Sequence, residues 1–380
     1  ISKKIIVASS GKIESLDPAR ANTLKAIQLI SSLGDTLYEL NSDGELIPEL
    51  ASGMPIISKD RLQITINLRK NVFFHDGTAF NSNAIKFTFD RFKRIGTMNY
   101  ILGNKIKSIE TPSEYSVIIN LNKPSSSLNG LLTSVNLTPI SPTFYKQYSD
   151  KFLNEKFVGT GKYVLTSFSN EVQSIDPYLN YWGEKPLNKG VNFVGYSNSS
   201  SLFGALKSKQ IDVLLSNSID DSQRKSLNNL SKNKQFNEGN SPFTELSFIS
   251  LKTSSYPLSN LNLRLALAKS LNRKLISEKV SYGLRKPSRS IIPPILKKDN
   301  QELWPKYDYL EARRLLQKEN YCNGNILKIP LTYRSNVPAD KLIALTWQEE
   351  IKNSLKDCID IELNGVESTT VYKNLSLGIY

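Results

Sequence analysis

VNFVGYSNSSSLFGALKSKQIDVLLS, residues Val191–Ser216, reads as a strand, a helix and a second strand. VNFVGY and IDVLLS are short apolar runs bounded by polar turn residues, and SLFGALKSK between them has helical spacing. Such a crossover joins parallel strands and normally winds right-handed, because a tight hairpin cannot return the chain in the same direction. The pattern predicts an α/β protein.

Working outward, IIVASS at Ile5 reads as a first strand and TLKAIQLISSL from Thr23 as the helix after it, with Ile27 and Ile30 three apart and Leu29 and Leu33 four apart. RLQITINLRK alternates and places Leu62, Ile64, Ile66 and Leu68 on one face of a half-buried strand. Asn81 or Ser82 is placed to cap a helix through AIKFTFDRFKRI whose Ile85, Phe89 and Phe92 face the core. EYSVIINLN is another alternating strand, and GKYVLTSFSNEVQSI gives two strands joined around Ser169 and Asn170. Downstream, ELSFISLKT is expected as a long strand crossing to a second lobe. LNLRLALAKSLNRKLISEKV follows as one helix with Leu263, Leu267, Leu271 and Leu275 in a buried stripe. Helix EARRLLQKE, strand LKIPLTY, helix DKLIALTWQEEIKNSL and strand IDIELNG complete the chain. No internal repeat or low-complexity tract interrupts it.

With 380 residues, 39% of them hydrophobic, the chain is long enough for more than one core. No apolar run approaches the roughly 18 residues that cross a bilayer, and the first residues, KKIIVASS, are strand-like. The net charge of +14 raises the question of a nucleic acid or membrane partner. Lysines are sprinkled through polar segments such as KSKQ and SKNKQ, with no five basic residues together and no regular aromatic interleaving, so the distribution argues against both a nucleic acid and a membrane partner and reads as a solvated lysine-rich surface, with attraction to anionic lipid left only as steering of an anchored protein. Cys322 and Cys358 each stand just before a strand, LKIPLTY and IDIEL, which a helix links in parallel. They sit at one end of neighbouring strands, either as a disulfide or as two buried free thiols.

Candidate chemistry is sparse. His75 is the only histidine, and in the extended VFFHDGT it points away from Asp76, so the two form a poor orienting dyad. No G-x-S-x-G elbow occurs. One histidine, two distant cysteines, Met54 and Met98 make no metal cluster, although a metal held through a small organic chelator remains open. VGTGKY lacks the first glycine and the hydroxyl residue of a phosphate loop, having Lys156 and Tyr163 there; Gly159 and Gly161 are expected to allow a tight turn into the next strand. Gly77 suits a positive φ after Asp76. Trp182 is expected to pack a turn, Asp220 and Asp221 to serve a helix N-terminus, and Arg264 to pair with an acid.

Four peptides in one order, SLDPAR at Ser15, LRKNVFFHDGTAFNSNAIKFTFDRF at Leu68, VGTGKY at Val158 and PYLNYWGEKPLNKG at Pro177, resemble the periplasmic substrate-binding proteins of the peptide and nickel class, solute-binding protein family 5. KSKQIDVLL at Lys207, LSNLNLRLALAKSLNR at Leu258 and YLEARRLLQKEN at Tyr309 extend the likeness over nearly the whole chain; Lys162 stands where the family usually has proline. The resemblance implies a two-lobed α/β periplasmic binding protein fold with an inserted subdomain. Residues 1–45 and 160–247 form the first-lobe core, 46–159 the insert and 248–380 the second lobe. That lobe is expected to be incomplete, since the family continues beyond a point matching Tyr380, and a secretory signal is expected ahead of Ile1.

The function implied is capture of a peptide or similar polar solute between lobes that close on a hinge, and delivery to the permease of an ABC importer. The protein would be a monomer, periplasmic or anchored outside the cytoplasm as a lipoprotein, with no cofactor. Matching by motif puts ligand contacts at Asn22, Thr23 and Leu24, at Leu215, Ser216 and Asn217, and at Phe243, Thr244 and Ser247. Strand ends and connecting segments of this kind expose backbone donors and acceptors in a concave gap. The alternatives are a secreted peptide-acting hydrolase and a non-transport scaffold or adhesin on the same fold.

Overall fold

The computed structural model describes residues 3–380 apart from 104, 150, 170, 216–217, 233, 240–245 and 294–301. It divides into two compact units, Ile1–Leu215 and Ser216–Tyr380. The first contains β1 (Ile5–Ser10), α1 (Leu24–Leu33), β2 (Tyr38–Leu40), β3 (Leu46–Pro48), β4 (Ile56–Ile57), β5 (Gln63–Asn67), α2 (Ser82–Ile95), β6 (Ile106–Ser113), β7 (Ser116–Leu121), α3 (Leu128–Leu131), α4 (Pro142–Tyr145), β8 (Tyr163–Phe168), β9 (Val172–Pro177), β10 (Val191–Tyr196), α5 (Ser199–Lys207) and β11 (Val213–Leu214).

Two sheets organise this unit. One has the order β11-β1-β10-β9-β8. β10 and β11 both run parallel to β1, which lies between them, so the crossover through α5 passes over β1. The β8-β9 hairpin supplies the antiparallel edge. The second sheet, β4-β5-β7-β6, is antiparallel, with Ile64 and Ile66 of β5 turned into a core and Gln63 and Asn67 turned out. α2 covers it. The Asn81 side chain accepts from Asn83 N at the helix start, Lys93 and Arg94 suit its last turn, and Ile85, Phe89 and Phe92 recur on the buried face. Full burial of each such side chain contributes about 1.5–3 kcal/mol. β2 and β3 form a small hairpin beside this core.

The second unit contains α6 (Asp221–Lys232), α7 (Leu261–Ser270), α8 (Arg273–Ser281), α9 (Tyr309–Lys318), β12 (Leu327–Arg334), α10 (Pro338–Ser354), β13 (Ile359–Val366) and α11 (Ser368–Ser376). β12 and β13 pair in parallel through α10. Their inward residues, with Leu263 and Leu267 of α7 and Trp347 of α10, make one core. Cys322 and Cys358 are joined as a disulfide and are buried members of this core.

Two expectations fail here. The single helix predicted from Leu261 onward is two, because Asn272 does not continue α7 but caps α8, its side chain accepting from Leu275 N. ELSFISLKT is not a long strand. Part of it lies outside the described residues, and residues 246–250 carry no strand, since alternation makes a strand only where a neighbour completes the ladder.

Candidate functional site

The loop between β1 and α1 is held from beneath. Asp17 is fully buried and receives both Nη atoms of Arg91 at 2.6 Å, Arg20 Nε at 2.9 Å and the Ala19 amide at 3.1 Å. Asn136 Nδ2 donates to the carbonyls of Pro18 and Ala21, both at 2.8 Å. SLDPAR is thus a clamp for the residues that follow. Asn22 and Thr23 are half-buried and Leu24 is 39% exposed. Thr23 Oγ1 caps α1, accepting from Ala26 N at 3.3 Å.

This helix start lies at the carboxyl ends of the parallel strands. Gly11, just past β1, donates its amide to Tyr196 O, and Leu215, just past β11, donates to Ala8 O. Lys25 reaches back from the first turn of α1 to donate to Gly11 O at 2.9 Å. Gly195 permits that approach, since a Cβ there would stand 2.6 Å from Gly11 O and 2.9 Å from Lys25 Nζ. Burial lowers Lys25 to about 8. The first unit thus sets the start of α1, with Asn22, Thr23 and Leu24 before it, and Leu215 at the carboxyl-end edge of its parallel strands. Ser216, Asn217, Phe243 and Thr244 lie outside the described residues, and Ser247 is an exposed residue of the second unit.

Lys25 was not singled out by sequence. The signal was present, because Lys25 sits four residues before Leu29 and eight before Leu33, on the buried stripe of α1.

The loop after α1 packs against VGTGKY. Gly161 donates its amide to Leu33 O at 3.0 Å, and a Cβ on Gly161 would meet Leu33 C at 2.4 Å and Gly34 N at 2.5 Å. Close backbone approach is therefore what requires this glycine. His75 completes the joint, its amide donating to Gly159 O and its Nε2 lying 2.9 Å from Gly161 O. Burial lowers its pKa. Gly77 has φ +81°, as the turn demands.

Beside this joint stands a buried acid cluster that the sequence did not reveal. Asp35 accepts from Tyr181 OH at 3.1 Å, Trp182 Nε1 at 2.9 Å and Thr160 Oγ1 at 2.8 Å. Glu49 accepts from the amide and hydroxyl of Thr36 at 2.7 and 2.9 Å. Burial raises both carboxyls, and the Asp35 charge adds to the effect on Glu49, which is pushed up to about 8. Trp182 does pack its turn, with Arg69 stacked 4.4 Å from its ring.

Other sequence candidates are structural. Asp220 caps α6, accepting from Gln223 N, while Asp221 is buried between Arg224 and Arg285. Arg264 donates to the carbonyls of Leu258 and Ser259, and among the described residues it pairs with no acid. Among the described residues no group of three or more His, Cys, Asp or Glu is arranged to hold a metal ion, and no helix is long and apolar enough to cross a membrane.

A family model described as bacterial extracellular solute-binding proteins, family 5 Middle, matches residues 45–379. The glutathione-binding protein GsiB of Escherichia coli O6:K15:H31 is 26% identical over 359 residues, covering 93% of this chain and 68% of that protein. The GsiB of Salmonella typhi matches to the same extent. Among solved structures, the ABC transporter-associated periplasmic binding protein DppA from Helicobacter pylori, in complex with peptide STSA, superposes with a TM-score of 0.82 at 22% identity, covering all of this chain and 76% of that one. OppA of Haemophilus influenzae, in complex with RPPGFSPFR, gives 0.82 at 20% identity and 79% of its length. These structural likenesses establish the two-lobed binding-protein fold. The chain spans about two thirds of the length of its curated relatives.

Proposed function

The chain belongs to the family 5 bacterial extracellular solute-binding proteins, and we propose from that premise that it captures a peptide or similar small polar solute and delivers it to the permease of an ABC importer. Its family and relatives are binding proteins, not enzymes. The observation that carries the proposal is the family match across residues 45–379. The sheet edge supports it, with a clamped loop, a capped helix start and a desolvated lysine facing the ends of β1 and β10. Solute contacts are assigned to Asn22, Thr23, Leu24 and Leu215 on that edge, and to Ser216, Asn217, Phe243, Thr244 and Ser247. The protein works as a monomer outside the cytoplasm, free in the periplasm or held by a lipid anchor, and needs no cofactor.

The test is mass spectrometry of small molecules released on denaturing freshly purified protein, followed by calorimetric titration of the emptied protein with what is found. A stoichiometric peptide or polar solute that rebinds saturably and unchanged is the expected result. Turnover of that molecule, or its failure to rebind, would overturn the receptor assignment.

A further inference from the structure

α2 and the segment after α4 line an open depression of about 310 Å³ walled by cations and rings. Phe87, Arg91 and Arg94 come from α2, Tyr145 ends α4, and Lys146 and Tyr148 follow it. A second depression of about 550 Å³ continues along α2 past Lys86 and Asp90, which pair at 3.0 Å. The Lys146 ammonium stands 5.5 Å over the Phe87 ring. Arg91, anchored by Asp17, is a fixed wall.

Beyond the rim the rings continue in water. Phe144 to Tyr148 and Tyr148 to Phe152 have centroid separations of 4.9 and 4.6 Å, and Lys156 lies 5.6 Å over Phe152. Tyr148 and Phe152 are 42% and 44% exposed. Among the described residues, Arg94, Lys146 and Lys156 have no carboxylate within ion-pair distance.

Exposed rings and unneutralised cations are each ordinary alone. Here they share one continuous surface, where the cations repel one another around a concavity and stacked rings remain hydrated. A bilayer interface relieves both conditions, since aromatic side chains favour headgroup depth and basic residues favour anionic lipid. A free phosphate would satisfy the depression but would leave the adjoining rings hydrated. The net charge of +14 adds a general attraction of the same sign.

We propose that this face of the first unit binds anionic phospholipid at a membrane surface, with a lipid phosphate between Arg94 and Lys146 and with Tyr148 and Phe152 at the headgroup boundary. Solute capture is not required for it.

Flotation with vesicles tests the site, comparing phosphatidylcholine alone with phosphatidylcholine mixed with phosphatidylglycerol. The full chain is expected to float with the mixed vesicles only. One basic residue near such a surface is worth about a five-fold change in partition, so R94Q/K146Q should lose about 25-fold. K59Q/K107Q, with the same change in net charge at exposed positions elsewhere in the first unit, should lose much less. Y148S/F152S should bind at low salt and dissociate as salt is raised, because only the electrostatic part remains. Circular dichroism confirms that each variant is folded. Equal losses for the two lysine or arginine pairs would overturn the site in favour of diffuse charge attraction. Absence of flotation with the mixed vesicles would overturn it outright, and equally strong competition by inorganic phosphate would reassign it to a free anion.

Discussion

Replacing Asp17 with alanine should loosen the loop that carries Asn22, Thr23 and Leu24. Asp17 is fully buried and Arg91 is 4% exposed, and they meet through two contacts of 2.6 Å. Removing one partner of a buried pair leaves the other charge uncompensated, at a cost of about 3–5 kcal/mol. The Tyr145 ring, 5.3 Å from the Arg91 guanidinium carbon, is a weaker partner than the carboxylate it would lose. R91M should cost less than D17A, because Arg20 and the Ala19 amide still hold the carboxylate. The double variant D17A/R91M should fall short of the sum by about 2–3 kcal/mol, the coupling of groups in direct contact. Two units make a single global unfolding energy ill-defined, so the assay is native-state hydrogen exchange of peptides covering residues 12–24 and α2. A loss of about 3 kcal/mol speeds exchange there by roughly 150-fold. Acceleration below about five-fold in D17A, or full additivity in the double variant, would refute the assignment of Asp17 and Arg91 as the anchor of this loop.

The acid cluster predicts a pH dependence. Glu49 has a folded pKa pushed up to about 8, so its contribution is fully present below its ordinary value and is lost as pH rises through about 8. Thermal stability of the first unit should fall over that window and E49Q should flatten the profile; an unchanged slope in E49Q would contradict the placement. In the second unit, the Cys322–Cys358 bridge closes a loop with a sequence separation of 36, and C322S/C358S should destabilise it by about 4 kcal/mol on chain-entropy grounds. Thiol titration should find none before reduction and two after, and reactive thiols without reductant would contradict the bridge. G161A should destabilise by more than about 3 kcal/mol, since its Cβ meets backbone of Leu33 and Gly34, while G130A on α3 opens onto free space and should be neutral or mildly stabilising; equal melting temperatures for the two would count against the close approach.

Much of the fold was legible because its signals are local. The period of TLKAIQLISSL, the alternation of RLQITINLRK and the cap at Asn81 each lie within a few residues, and the structure places elements there. The order of motifs carried the family, and the family model confirms it. The strand-helix-strand spacing at Val191 implied parallel strands, which the register with β1 realises. Local signals also misled. Asn272 sits in an apolar period and reads as helix interior, yet it is a cap, and 246–250 alternate without becoming a strand.

Tertiary structure alone chose the polar partners. Asp17 finds Arg91 across 74 positions, and Asp35 finds Tyr181 and Trp182 across 146 and 147. Nothing in the spacing of these residues selects one distant partner over another, because the choice depends on which surfaces the packed sheets and helices bring into a dry interior, where an unpaired charge is costly. Lys25 shows the boundary between the two kinds of information. Its register on α1 was readable from Leu29 and Leu33, but only the packed sheet places Gly11 O within its reach and removes the water that would otherwise keep its ammonium at an ordinary pKa.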